Sequence, residues 1–237
     1  MPGKTASVIG STGLIGNHLV EFLTKDKTFS TIRTLVRRPI VNGNEKVEMK
    51  LVNFEDHESV KLAIDGSDAV FCAVGTTQKK VKGDKQAYRK VDYDIPVNAA
   101  RFCAETGCPN FVLVSSVGAK SDSKNFYLKL KGDVEDAIQQ FAIRNISIFR
   151  PSILLGNRSE KRTGEKLGQG LASFFAFMML GKWEKYRPVE AEHVAKAMIQ
   201  SAKEEERGRH IYEYDDIRHL AALYQPYQNI IAHQHPK

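Results

Sequence analysis

Two apolar patterns alternate along the first 150 positions of the chain. Ala6 to Ile9, Ile32 to Val36, Val47 to Val52, Ala69 to Ala73, Phe111 to Val114 and Ile146 to Phe149 are short segments, most of them near-continuously apolar and rich in β-branched or small residues. That is the composition of buried strands. Between them the apolar positions recur at helical spacing. Leu14, Ile15, Leu19, Val20, Phe22 and Leu23 mark one helix, and Asp56 to Ile64 predicts a short one opening on an acidic cap. About Lys85 to Glu105 predicts a long helix stopped by Gly107 and Pro109, and Tyr127 to Phe141 predicts another.

Near-continuous apolar strands separated by helices are what a parallel sheet covered on both faces requires. Right-handed crossovers then give a doubly wound α/β sheet. The last third is less regular, with helical patterns near Lys166 to Leu180 and Ala191 to Lys203. Residues 1–237 therefore read as one domain. About 4–150 form its core, about 151–224 a small helical substrate-side region, and 225–237 a loosely ordered tail.

The first strand runs into Gly10-Ser11-Thr12-Gly13-Leu14-Ile15-Gly16, which opens the first helix. Glycines at such a turn allow a tight bend, close approach of backbone to a pyrophosphate, and helix–strand contact without a Cβ. The helix start offers unpaired N–H groups and a positive dipole end, and Ser11 and Thr12 add hydroxyls. The spacing is G-x-x-G-x-x-G, and its position after a strand makes this a dinucleotide-binding Rossmann unit. An NAD site places a carboxylate at the end of the second strand to bond the ribose 2′-hydroxyl. This chain has Arg37 and Arg38 there, two guanidiniums suited to a 2′-phosphate, so NADP is expected over NAD.

Ser115 and Ser116 follow the fifth strand, at the sheet edge where open parallel sheets bind ligands. Eleven residues past Ser116 stands Tyr127, and four later Lys131, on the same helix face. A free phenol titrates near pH ~10, and a neighbouring ammonium favours the phenolate. Tyr127 is then the expected proton carrier, Lys131 its electrostatic partner and ribose ligand, and Ser116 the holder of the substrate oxygen.

Composition narrows the partners. The net charge is +7, with no basic run longer than two residues and no nucleic-acid motif, so it reads as solvated surface lysine, with phosphate-bearing cofactors or substrates as the alternative and no nucleic-acid partner expected. Cys72, Cys103 and Cys108 have neither metal-ligand spacing nor an even count, which suits a reducing compartment. His233 and His235 make too few ligands for a metal site, so none is expected. His193 reads as structural. The longest apolar stretch, Leu171 to Leu180, falls short of the ~20 residues that span a bilayer. It predicts a helix over the cleft or in the core, with a homodimer or protein contact through 171–183 as the alternative. With no apolar leader at Met1 to Lys4, a soluble cytoplasmic protein is expected.

Together, Gly10 to Gly16, Leu35 to Arg38, Val52 to Phe54, Ala73 to Thr77, Lys90 to Asp92, Ser115-Ser116, Tyr127 to Gly132 and Phe149 to Ser152 resemble the atypical branch of the short-chain dehydrogenase/reductase superfamily. Its Tat-interacting oxidoreductase-like family is the nearest match. The resemblance covers about residues 4–220. It implies that Asn53 and Phe54 sit by the adenine, that Ala73, Val74, Gly75 and Thr76 run along the middle of the cofactor, and that Pro151, Ser152 and Ile153 line its nicotinamide end. Asp92 stands where extended members commonly carry asparagine. Three functions follow: an NADP-dependent reductase or dehydrogenase acting on a carbonyl/alcohol pair, an NADP(H)-binding regulatory protein with little turnover, and a small epimerase-like enzyme. The short region after the sixth strand disfavours the third.

Overall fold

A computed structural model of the chain describes residues 3–76, 81–156, 185–204 and 206–226. Seven parallel strands form the main sheet: β1 (Lys4–Ile9), β2 (Phe29–Val36), β3 (Val47–Leu51), β4 (Ala69–Cys72), β5 (Asn110–Val114), β6 (Asn145–Phe149) and β9 (Gly208–Tyr212), in the order β3-β2-β1-β4-β5-β6-β9. β7 (Leu154–Leu155) and β8 (Val189–Glu190) pair in a separate two-stranded ribbon. The strand order reverses between β1 and β4, which opens a crevice above their carboxyl ends, the usual ligand position in such sheets.

The helices are α1 (Leu14–Lys25), α2 (His57–Ile64), α3 (Lys85–Arg89), α4 (Ile95–Glu105), α5 (Phe126–Ile138), α6 (Ala191–Glu204) and α7 (Tyr214–Leu223). Strand alternation assigns the side chains to two cores. Val8, Phe71 and Phe149 point toward α1, α6 and α7, where Leu19, Leu23, Met198 and Ile217 meet them. Ile9, Val70 and Ile148 point the other way, toward α2, α4 and α5 with Ile64, Phe102 and Ile138. Phe29 and Phe71 meet edge to face with ring centroids 6.2 Å apart. Each such buried ring contributes on the order of 2 kcal/mol through apolar burial.

The long helix expected over 85–105 is interrupted. Lys90–Asp94 forms a π-helical turn between α3 and α4, an irregularity frequent at functional sites. Three elements of the last third were not anticipated, the short strand β8 among them. β9 adds a seventh strand beside β6, and α7 follows it behind a reciprocal cap between Glu213 and Asp216. The apolar segment 171–183, the helix expected near 166–180, and His233 and His235 lie outside the described residues.

Candidate nucleotide and active site

The glycine turn is built around three close approaches. Gly10 has φ +88°, and a Cβ there would lie 2.7 Å from the Ala73 carbonyl. A Cβ on Gly16 would lie 2.0 Å from the Gly10 oxygen. Gly13 donates its N–H to that same oxygen at 2.9 Å and enters α1 with extended backbone. No side chain among the described residues caps α1, and its first turn carries no acid, so its leading N–H groups and dipole face the crevice unopposed. The Ser11 Oγ is buried and finds no hydrogen-bond partner among the described residues.

Beside this turn, α1 and the segment after Arg38 enclose a cavity of about 400 Å³ lined by Ser11, Thr12, Asn17, Thr34, Ile40 and Asn42. Thr34 Oγ1 is a second buried hydroxyl on its wall without a partner among the described residues. A buried hydroxyl left unpaired is costly unless something polar meets it. Arg37 and Arg38 follow β2 directly and are exposed. A cradle closed to any Cβ, an uncapped helix start and an orphaned hydroxyl fit the phosphates of a dinucleotide.

The remaining expected cofactor contacts lie on successive strand ends. Asn53 and Phe54 form the turn after β3, where Asn53 Oδ1 accepts the Glu55 N–H at 3.0 Å and Phe54 packs on the core. Ala73, Val74, Gly75 and Thr76 leave β4 next to Gly10, with the Ala73 N–H bonded to Ile9 O at 2.9 Å. Past β6, the Pro151 carbonyl accepts the Val117 N–H at 3.0 Å, Ser152 Oγ donates to the Arg187 carbonyl, and Ile153 is exposed.

The second half of the site hangs on α5. Asn125 caps the helix by accepting the Tyr127 and Leu128 N–H groups at 2.9 and 3.2 Å, which fixes the turn that carries Tyr127. Lys131 Nζ lies 5.9 Å from the Tyr127 ring centroid. It also lies 3.1 Å from Asp92 Oδ1, with both side chains almost wholly buried. Asp92 uses its other oxygen to accept the Thr76 N–H at 2.7 Å, so one carboxylate ties the loop after β4 to Lys131. Burial pushes the Lys131 pKa down, but the charge of Asp92, helped by Tyr127, outweighs it and holds the ammonium above its ordinary value. Tyr88 packs edge-on against Tyr127 at 6.5 Å and hydrogen-bonds to the Thr76 carbonyl at 3.4 Å.

The two serines after β5 have different fates. Ser115 Oγ donates to buried Glu135, which also receives Arg150 Nε at 3.0 and 3.2 Å. Among the described residues, Ser116 Oγ makes only a 3.5 Å contact to the adjacent Val117 carbonyl, and Ser116 is partly exposed. Ser116 is therefore the serine with a hydroxyl to offer a ligand. Sequence reasoning gave no role to Glu135 or Arg150, although Glu135 stands four residues past Lys131 on the same helix face and Arg150 precedes Pro151. His193 is exposed on α6.

Residues 10–205 match the family of NAD(P)H-binding domains. The chain belongs to that family. Rat protein HTATIP2 is 31% identical over 202 residues, covering 84% of this chain and 81% of that one. Protein FMP52, mitochondrial, from Candida albicans is 32% identical over 202 residues, covering 83% and 86%. Among solved structures, MoeE5 in complex with UDP-glucose and NAD superposes with TM-score 0.66 at 14% identity, over 92% of this chain and 81% of that one. The UDP-N-acetylglucosamine 4-epimerase of Methanobrevibacter ruminantium M1 gives 0.67 at 15% identity, over 89% and 76%. At such identities the likeness is one of fold. The NAD(P)H-binding family, with these relatives, matches the resemblance drawn from the motifs.

The relatives overturn one expectation, that of a cytoplasmic protein. Several fungal members are named mitochondrial FMP52. That expectation weighed only an apolar secretory leader, whereas mitochondrial targeting segments are amphipathic, arginine-rich and poor in acids.

Proposed function

We propose that this chain is an NADP(H)-dependent oxidoreductase acting on a carbonyl/alcohol pair of a small-molecule substrate. The observation that carries the reading is the joining of two half-sites. The loop that leaves β4 beside Gly10 is tied through Asp92 to Lys131, one helical turn from Tyr127. The segment Gly10 to Gly16 holds the pyrophosphate on the α1 start. Arg37 and Arg38 neutralise a 2′-phosphate, Asn53 and Phe54 flank the adenine, and Ala73 to Thr76 and Pro151 to Ile153 line the remainder. A bound nicotinamide supplies or accepts the hydride.

The chain's own groups manage the proton and the geometry. Ser116 orients the substrate oxygen, Tyr127 passes a proton to it or takes one from it, and Lys131 stabilises the charge on the phenol side. The fixed cap at Asn125 and the buried Lys131 spare the site the cost of ordering these groups on binding.

The cofactor part of the reading is tested by affinity. NADPH should bind at least about tenfold more tightly than NADH, because a 2′-phosphate adds charge-assisted hydrogen bonds. Arg37→Ala with Arg38→Ala should erase the difference. Equal affinity for both nucleotides in the parent chain would remove the NADP assignment.

A further inference from the structure

Asp92 is more than a packing residue. Its side chain is almost wholly buried, in a π-helical turn, and faces a fixed ammonium. Among the described residues, Asp92 is the carboxylate paired with that ammonium. Burial raises the Cys72 thiol to about 12, so it is neutral at physiological pH. Tyr127 presents its ring, and Tyr88 is turned to the Thr76 carbonyl. Glu135, one turn further along α5, is matched by Arg150. Among the described residues, Lys131 and Asp92 thus form a neutral pair at the junction of the two half-sites.

We infer that Asp92 is the counter-charge of the nicotinamide end, a positioning residue that cancels Lys131 so that the site accepts the oxidised, cationic ring as well as the reduced, neutral one. The inference rests on the cofactor reading above. The two redox forms of the cofactor differ by one positive charge at the ring. With Lys131 unbalanced, that charge would meet a like charge in a partly desolvated site, where unit charges interact far more strongly than in water. The reduced form would meet no such opposition. A neutral residue at 92 would therefore turn a balanced site into one that discriminates against the oxidised cofactor.

The experiment is calorimetric titration of the full chain with NADP+ and with NADPH, at about pH 6.5 to keep Lys131 protonated. Asp92→Asn is nearly isosteric and can still accept the Thr76 N–H. It should raise the ratio Kd(NADP+)/Kd(NADPH) about tenfold over the parent chain. Asp92→Ser should move it the same way, which covers the case in which the Asn variant fails to fold. The double variant Asp92→Asn, Lys131→Met should return the ratio to the parent value. Adenosine 2′,5′-bisphosphate, which lacks the nicotinamide, should bind parent and variants alike.

A merely structural Asp92 would weaken both nucleotides equally. An unchanged ratio in every neutral variant that folds and binds would overturn the counter-charge role and leave the cofactor reading standing. A parent chain that binds neither NADP+ nor NADPH would overturn the cofactor reading, and this inference with it.

Discussion

Gly16 passes so close to Gly10 that a Cβ on the former would lie 2.0 Å from the carbonyl oxygen of the latter. That oxygen also accepts the Gly13 N–H, so it cannot turn away without dismantling the bend. Gly16→Ala should therefore open the turn. The expected result is loss of measurable nucleotide binding and a destabilisation of about 2 kcal/mol, within the usual range for overpacking a tight contact. Titration calorimetry and urea denaturation check the two parts.

The Gly132→Ala substitution tests whether contact outweighs propensity. Replacing an interior helical glycine by alanine ordinarily stabilises by up to about 1 kcal/mol. At Gly132 the added Cβ would stand 2.3 Å from the Lys120 carbonyl carbon and from the Ser121 nitrogen, both backbone atoms of the segment that follows Ser116. The sign should reverse, with a lower Tm than the parent chain. A higher Tm would mean that this segment yields readily.

Glu135 joins Ser115 after β5 to Arg150 after β6 from a buried position. Glu135→Gln keeps the shape and removes the charge, leaving Arg150 without its close partner. The loss expected from urea denaturation is about 3 kcal/mol, the scale for breaking a buried pair. Ser115→Ala removes one hydrogen bond to a charged group and should cost about half as much.

Alkaline pH should weaken the fold in a defined window. Burial raises the Cys72 thiol from 9.0 to about 12, and burial likewise raises Tyr212 from 10.0 to about 12. Lys131 is raised above its ordinary 10.5 by Asp92 against the opposing effect of burial. For each, the unfolded chain releases its proton first. The stabilisation is complete below the unfolded pKa and is lost as pH climbs toward the folded one. Stability should be flat near pH 8 and fall above about pH 9 by roughly 1 kcal/mol per pH unit for Cys72 alone. Cys72→Ala should flatten the decline between about pH 9 and 10, measured by chemical denaturation.

The parts of the fold set by local patterns were legible. Val8, Val70 and Ile148 sit in runs that are apolar on both faces, and Gly10 to Gly16 declares both a turn and its use. β9 escaped because Gly208–Tyr212 is a half-exposed edge strand without an apolar run. α7 escaped because its cap pairs two acids, Glu213 and Asp216, rather than opening on serine or threonine. In the site, the spacing of Tyr127 and Lys131 was readable along one helix. The partner of Lys131 was not, because Asp92 reaches it from another helix through a π turn that leaves no mark in apolar periodicity. Ser116 was preferred over Ser115 from its place after the strand; that Ser115 is engaged by Glu135 was not readable, because long-range packing brings the two together.

The reading of this chain as an oxidoreductase rests most directly on Tyr127 as the proton carrier. The decisive measurement is substrate-dependent NADPH oxidation across a panel of aldehydes and ketones, with the parent chain and Tyr127→Phe compared under identical nucleotide saturation. The account predicts turnover of at least one carbonyl by the parent chain and a loss of about 100-fold or more in kcat in the variant, with NADPH affinity little changed. Turnover by the parent chain that survives Tyr127→Phe undiminished, or the same background rate from both proteins on every carbonyl, would contradict it.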